Sequence, residues 1–324
     1  MPPGRLPIVS PSSRLADLQK LAFHCGLNSS GTRAAIANHV NSQLSSWKPA
    51  PPDSRILSID LGVRNLAYSL LTAGGGRRHH EAVANAVGAE ASKPAQLHTW
   101  QRLALVPRRA GGPDGACEAA QDFSPAAMSD VAVRLVQERL LPLRPSHVLI
   151  ERQRFRSGGG AAVLEWTVRV NSLEAMLYAV FAHLRATGAW AGAVIPIEPR
   201  KVAPFVLGER SGPGEKTAGR GLPRKKASDV KRLKIELLAH MLTAGEIDIV
   251  SDEARDMAAA FLQRQGARSS RKKSSPPSSP LLGSEKLDDL ADSLLQGLAW
   301  LRWEQNRSTA KSQGDKAALM PFRN

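Results

Sequence analysis

The chain has 324 residues with 44 lysines and arginines against 29 aspartates and glutamates, and this net charge of +15 indicates a polyanionic partner, most often a nucleic acid. Its two cysteines, Cys25 and Cys117, are too far apart in sequence to indicate a metal site or a disulfide framework, which fits a reducing compartment. No run of about 18 apolar residues occurs, so we expect no membrane-spanning segment.

The N-terminal part of the chain is predicted to be a tail followed by a helical hairpin. The tail, residues 1–14, contains two arginines and no acid, a composition compatible with the remnant of an organelle transit peptide. The hairpin, residues 15–46, has apolar residues at helical spacing in both of its helices. A proline-rich linker at 47–53 then leads to the main domain.

The turn of this hairpin ends in Ser30-Gly31-Thr32-Arg33. A hydroxyl group at this place can cap the second helix, and the free N–H groups beside Arg33 could face a phosphate. A leucine-rich helix, a Gly-Leu turn, this tetrapeptide and a second helix together resemble the SAP motif, a small DNA-binding unit. An ordinary helical hairpin packed on the main domain is the alternative.

Residues 55–71 predict a β-hairpin at the start of the main domain. Its first strand is apolar except for Asp60 near the end, Gly62 supplies the turn, and residues 65–71 return as the second strand. A carboxylate at the end of a buried strand is costly unless a charged or hydrogen-bonding group meets it. Asp60 therefore either caps the turn or binds a metal on the first strand of a ribonuclease H-like sheet.

A second carboxylate also follows an apolar strand. After an insertion at 73–97, a strand over 97–106 and a helix over 125–143, the short strand 148–150 leads directly to Glu151. Ligand sites in open α/β sheets gather at this edge. The basic and aromatic run that follows suits a loop laid on phosphates, with its aromatic ring stacking on a base, and comprises Arg154, Phe155 and Arg156. A solvent-facing Glu–Arg ion pair is the alternative.

The region between this loop and the last helix is predicted to be mostly helical. A long helix over 163–187, a strand over 194–197 and a short apolar segment precede a polar insertion at 208–224. Lys225 and Lys226 then begin a helix whose basic face either tracks a DNA backbone or is only solvated. A third insertion, at 264–283, includes a basic Ser/Pro-rich segment, 264–280, that we expect to be disordered.

The last predicted helix, residues 284–303, carries three acids beside a continuous apolar stripe. Asp289 and Asp292 are three residues apart and Asp288 and Asp292 are four apart, so either pair shares a face of the helix. The alternative for Asp288 and Asp289 is that they only stabilise the positive N-terminal end of the helix dipole. Paired carboxylates repel one another unless a cation lies between them.

Along the chain there is an Asp on the first strand, a Glu after a later central strand, and two Asp on a final helix. Ribonuclease H-like nucleases have their catalytic carboxylates in this same order. Such a set can hold two Mg²⁺ or Mn²⁺ ions that activate water and stabilise the leaving oxygen of a phosphodiester. Two other classes of protein are alternatives. An actin-like ATPase or sugar kinase would need a second Asp-x-Gly phosphate loop, which the sequence lacks, and a non-catalytic DNA architectural protein would not need four central carboxylates.

Three motifs, SIDLGVRNLAYSLL, IERQRFRS and DDLADSLLQGLAW, resemble the fungal mitochondrial Holliday junction resolvases, which are cruciform-cutting endonucleases related to bacterial RuvC. The resemblance implies an α/β, ribonuclease H-like mixed sheet flanked by helices over residues 54–305, followed by a C-terminal tail at 306–324. It also implies a mitochondrial homodimer that binds four-way DNA junctions and cuts two opposing strands symmetrically.

By motif position the resemblance assigns roles to single residues. Asp60, Glu151 and the acid pair of the last helix would be catalytic and metal-binding, with Asp289 favoured over Asp288 as the partner of Asp292. The residues expected to touch DNA are all basic or aromatic, namely Arg33, Arg64, Arg154, Phe155, Arg156, Lys225 and Lys226.

Overall fold

A computed structural model describes residues 7–10, 12–74, 93–106, 122–153, 164–208, 227–269 and 287–314. The chain divides into two units. The first comprises Met1–Pro52, Pro199–Lys234 and Leu298–Asn324, and the second comprises Asp53–Glu198 and Ile235–Gly297. Within the described ranges, no helix combines the length and the apolar character needed to cross a membrane. The predicted domain boundaries at residues 54 and 305 stay predictions.

The second unit is built on a mixed sheet of six strands within the described part of the chain. These are β1 Arg55–Asp60, β2 Leu66–Thr72, β3 Ala95–Leu103, β4 His147–Glu151, β5 Ala193–Ile197 and β6 Ile247–Ile249. Their order across the sheet is β5-β4-β1-β2-β3-β6. Strands β1, β2 and β3 form an antiparallel meander, whereas β4 runs parallel to both β1 and β5. The carboxyl ends of β1 and β4 therefore meet at one edge of the sheet.

The helices of the described residues are α1 Leu15–His24, α2 Arg33–Ser46, α3 Pro125–Arg134, α4 Glu165–Ala186, α5 Pro199–Val206, α6 Ala227–Thr243, α7 Asp252–Ser269 and α8 Leu287–Gln313. Helix α3 continues through a π-helical turn and a 3₁₀ turn to Leu143, as its apolar pattern predicts. It begins at Pro125, a residue suited to a first turn, and the Ser124 hydroxyl caps it by accepting the Ala127 N–H at 3.3 Å.

One face of the sheet packs on α3 and α4. Side chains alternate along a strand, so Leu57 and Ile59 of β1 point to the same face as their neighbours Val148 and Ile150 of β4. All four are fully buried, together with Leu173, Leu177 and Phe181 of α4. This alternation leaves Ser58, Asp60 and Glu151 directed to the opposite face.

The opposite face packs on α7 and on the first half of α8. Trp100 of β3 donates its indole N–H to the Leu290 carbonyl at 3.1 Å, and Gln296 of α8 donates to the Ser58 hydroxyl at 3.1 Å. Helix α8 lies so close to the sheet that a Cβ at Gly297 would be 3.2 Å from the Ser58 Cβ. The buried polar groups thus hold α8 in one position against β1.

The structure adds two elements to the prediction and corrects a third. Strand β6 and helix α7 were not predicted, and the expected disorder from residue 264 is wrong for 264–269, which lie in α7. Phe261 explains the helix, because its buried ring packs 5.1 Å from the Trp100 ring and fixes α7 on the sheet. Residues 270–280 lie outside the described part of the chain. Helix α8 also continues past the predicted end at Trp303 to Gln313.

The first unit contains the predicted helical hairpin, closed by the C-terminal part of α8. Thr32 caps α2 by accepting the Ala35 N–H at 3.3 Å. Asn306 donates to the His24 carbonyl at 2.7 Å, and Arg307 donates to the Cys25 carbonyl at 2.8 Å. These two bonds satisfy carbonyls that would otherwise be unpaired at the end of α1. The hairpin therefore depends on residues nearly 300 positions away in sequence, and its SAP-like character stays a prediction.

Gly26→Ala is expected to destabilise the first unit by about 2–4 kcal/mol. Gly26 has φ +66°, which strains any side chain, and a Cβ there would lie 2.4 Å from Cδ2 of the Trp303 ring. Gly188→Ala is the matched control, because Gly188 has φ +74° but nothing within 4 Å of its added Cβ. The control should cost only about 1 kcal/mol. Urea unfolding of both variants checks this, and equal losses would contradict the ring clash.

Candidate active site

Two carboxylates lie side by side where β1 and β4 end. Asp60 is the last residue of β1 and Glu151 the last of β4. In the parallel register Ile59 of β1 is opposite Ile150 of β4. Asp60 and Glu151 directly follow these two residues and are therefore neighbours on adjacent strands. The side chains of Asp60 and Glu151 share a hydrogen bond. Two carboxyl groups this close repel one another when both are charged, unless a cation lies between them.

Helix α8 turns two further acids toward this pair. Gln296 donates to the Ile59 carbonyl at 3.2 Å as well as to Ser58, and so fixes which side of α8 faces the end of β1. Asp292 and Asp289 come one and two turns before Gln296, on the same side of the helix. Measured around the helix axis from Gln296, Asp289 lies about 20° away, Asp292 about 40° away and Asp288 about 80° away, at 3.6 residues per turn. The positions of these acids around the helix therefore favour Asp289 over Asp288 as the partner of Asp292.

The electrostatics of Asp60 identify the same group of acids. The pKa of Asp60 is raised well above its ordinary value, first by burial, then by the hydrogen bond to Glu151, and then by the negative charges of Glu151, Asp292 and Asp289. Asp288 is not among these causes. Three of the other four predicted acids thus act on Asp60, whereas Asp288 does not contribute.

A hard divalent cation fits the chemistry of these donors. Every group that raises the pKa of Asp60, apart from burial, is a carboxylate, and carboxylate oxygens are the ligands preferred by Mg²⁺ and Mn²⁺. As the side chains lie, no three acidic, histidine or cysteine residues within the described ranges form a ready metal cluster. A bound cation would offset the repulsion that raises the pKa of Asp60.

The segment that follows Glu151 is anchored on both sides. The Arg152 N–H donates to the Ile197 carbonyl at 2.8 Å, and the Gln153 N–H donates to Oε2 of Glu174 on α4 at 3.1 Å. Burial raises the pKa of Glu174, while the Gln153 N–H and the Arg152 charge oppose that rise. Sequence reasoning missed Glu174, although it is the one acid of α4 beyond the first turn, and this was an available signal.

The residues predicted to contact DNA are only partly within the described part of the chain. Arg33 is exposed at the first position of α2 in the first unit. Arg64 is in the turn after β1, partly buried, with its guanidinium 5.2 Å from the ring centroid of Trp166. Trp166 was not predicted. The remaining predicted contacts, Arg154, Phe155, Arg156, Lys225 and Lys226, lie outside the described residues.

Residues 56–310 match the family described as mitochondrial resolvase Ydc2 / RNA splicing MRS1. The chain belongs to this mitochondrial resolvase family. The matched range includes Asp60, Glu151, Asp289 and Asp292, and the predicted family is confirmed.

One curated relative and one solved structure match nearly the whole length of this chain. Cruciform cutting endonuclease 1, mitochondrial, from Schizosaccharomyces pombe is 27% identical over 292 residues, covering 90% of this chain and 92% of the relative. The crystal structure of the yeast mitochondrial Holliday junction resolvase Ydc2 covers 94% of this chain and 98% of its own, with 24% identity and a TM-score of 0.59. This likeness and the order of the strands confirm the predicted fold class, and the names agree with the predicted mitochondrial localisation.

Proposed function

We propose that this member of the mitochondrial resolvase family is a structure-selective endonuclease that resolves four-way DNA junctions during mitochondrial recombination. The observation that carries the proposal is the convergence of Asp60, Glu151, Asp289 and Asp292 at one edge of the sheet. A protein with a net charge of +15 has no evident need for such a negative cluster in its structure unless a cation binds there. The cruciform-cutting name of its relative supports the same activity.

In this proposal the four carboxylates hold two divalent cations, Mg²⁺ or Mn²⁺. When bound, such ions activate a water molecule and stabilise the leaving oxygen of the phosphodiester. The protein's own contribution is to keep the ligands in position. Gln296 sets the phase of α8 through Ser58 and Ile59, and Glu174 holds the backbone just after Glu151. Carboxyl groups must be deprotonated to serve as metal ligands, and the raised pKa of Asp60 opposes this in the metal-free protein.

We further propose that the protein acts as a homodimer on junction DNA, since symmetric cutting of two opposing strands needs two active sites. The long helix α4 is the candidate interface. Its Ala175, Ala179 and Ala182 are exposed at helical spacing, and such small side chains allow the backbones of two helices to approach closely. Sedimentation equilibrium of the free protein tests this part of the proposal.

The expected result for Asp292→Asn is loss of cutting with retained binding. Wild type and variant would each be given a synthetic four-way junction and a linear duplex of the same sequence, with and without Mg²⁺. Wild type should make paired, metal-dependent nicks in the junction only. The variant should bind the junction with affinity within about threefold of wild type, because Asn keeps the shape of the side chain and most of the surface contacts are unchanged.

Two outcomes would count against the nuclease. If wild type binds the junction but never cuts it with any divalent cation, the protein is instead a non-catalytic nucleic-acid-binding protein. The name of the matched family also refers to RNA splicing. If the wild type does not cut DNA, a four-way RNA junction of the same sequence is therefore a useful second substrate. Turnover of ATP without any cutting would favour the kinase-like class weighed from the sequence.

A further inference from the structure

An arginine lies in the same row of the sheet as the carboxylates of the candidate active site. Asp60 of β1 is opposite Ala67 of β2, and Ala67 is opposite Arg102 of β3. Directly opposite residues point to the same face of a sheet, so the Arg102 side chain is on the face that carries Asp60. Strands β1 and β3 both run antiparallel to β2 and therefore end at the same edge. The register thus places a positive charge at the edge where the acids lie.

Helix α8 crosses the sheet along the neighbouring row, which consists of Ser58, Ser69 and Trp100. It bonds to each of these residues in turn as it passes from β3 to β1. Their row is two residues before the row of Asp60 and Arg102, a separation of about 7 Å along the strands. The acids of α8 are on the side of the helix that faces Asp60, and Arg102 lies along that same side.

The charge of Arg102 does not neutralise Asp60. Nη2 of Arg102 donates to Oδ1 of Asn65 at 3.1 Å, in the turn between β1 and β2. The pKa of Asp60 is raised by burial and by three other acids, and Arg102 is not among its causes. Two strand spacings, about 10 Å, separate the backbones at Asp60 and Arg102, and Ala67 between them has only a methyl side chain. Arg102 is therefore near the acids without being bonded to Asp60.

We infer that Arg102 binds a phosphate of the cleaved strand, the one next to the scissile phosphodiester, and so positions that strand over the carboxylates. The inference rests on the proposed function, because it takes branched DNA as the substrate. A guanidinium presents its N–H donors in a plane and binds a phosphate through two parallel hydrogen bonds. The bond to Asn65 keeps this plane oriented. The scissile phosphate belongs beside Asp60, so an arginine two strands away is placed for the next phosphate along the strand.

The test combines substitutions of Arg102 with methylphosphonates, each of which removes the charge of one phosphate. Full-length protein is titrated, in EDTA to prevent cutting, with four-way junctions that carry one methylphosphonate at each position around the cut bond in turn. Arg102→Gln should weaken binding to the unmodified junction about tenfold, the scale of a hydrogen bond to a charged group, and lower the salt slope by about one. It should also become insensitive to the methylphosphonate next to the cut bond, and to no other. Arg102→Lys keeps the charge and should keep that sensitivity.

Two control variants separate a phosphate contact from other effects. Asn65→Ala removes the acceptor of Arg102 but no charge, so a loss of affinity equal to that of Arg102→Gln would show that Arg102 only supports the turn, and the inference fails. Arg139→Gln removes an exposed arginine from the opposite face of the sheet and should bind within about threefold of wild type.

The inference also fails if no single methylphosphonate loses its effect in Arg102→Gln, or if the same one loses its effect in Arg139→Gln. Coupling between Arg102 and one phosphate, without any cutting by wild type in Mg²⁺, would overturn the nuclease proposal alone. Cutting by wild type without such coupling would overturn only the role of Arg102.

Discussion

Asp289→Asn is expected to lower the rate of metal-dependent junction cutting by more than about a hundredfold, because loss of a supporting outer-shell group alone costs metal sites about 10–100-fold. Asp288→Asn is expected to stay within about threefold of wild type, because Asp288 is not among the charges that raise the pKa of Asp60. The difference follows from the phase of α8. Gln296 binds Ser58 and Ile59, so the side of the helix that carries Asp289 faces the end of β1.

The two variants make a matched pair, since each removes one negative charge from the first turn of the same helix. Any general effect on the helix dipole is therefore shared. Single-turnover cutting of a labelled junction, measured over a range of Mg²⁺ concentrations, separates weaker metal binding from slower chemistry. Equal losses in the two variants, or a larger loss for Asp288→Asn, would show that α8 is rotated from the position described here when DNA and metal are bound.

The acids of the candidate site have local signals in the sequence. Asp60 and Glu151 each follow an apolar strand, and the acids of α8 stand beside an apolar stripe. The choice between Asp288 and Asp289 could not be made in this way, because both are at helical spacing from Asp292. That choice depends on a hydrogen bond from Gln296 to a strand more than 230 residues earlier. A contact of that kind leaves no periodic pattern in the sequence.

Other features were missed for the same reason. Glu174 accepts a hydrogen bond from a backbone N–H of the segment after β4, and no motif contains both residues of this contact. The helical hairpin was predicted from its own leucines, but its closure by Asn306 and Arg307 was not. The basic and polar composition from residue 264 predicted disorder for the C-terminal part of α7. The helix forms because Phe261 fixes the preceding turns on the sheet through its contact with Trp100.

Asp60→Asn is expected to abolish cutting and, at the same time, to stabilise the metal-free protein. In wild type the folded state raises the pKa of Asp60, through burial first and then through Glu151, Asp292 and Asp289. Ionising Asp60 therefore costs free energy in the folded chain that it does not cost in the unfolded chain. The amide of Asn can still donate to Glu151 but adds no charge, so the repulsion is removed while the hydrogen bond is kept.

The pH dependence has a definite sign. A carboxyl group with a raised pKa in the folded state contributes stability below its unfolded pKa and loses that contribution as the pH rises through the folded pKa. In EDTA at pH 8 the variant should therefore melt a few degrees above wild type, the scale of about 1 kcal/mol for a chain of this size. The difference should shrink as the pH falls toward the ordinary value for Asp, 3.8.

Added Mg²⁺ provides the decisive comparison. A cation that binds the folded wild type stabilises it by mass action, whereas the variant has lost a ligand and should gain less. The order of the two melting temperatures should therefore reverse between EDTA and saturating Mg²⁺. Asp53→Asn, which changes an exposed acid just before the same strand, controls for net charge and should show neither effect. If Asp60→Asn melts below wild type in EDTA, the four carboxylates do not repel one another as described, and the reason for placing cations among them is lost.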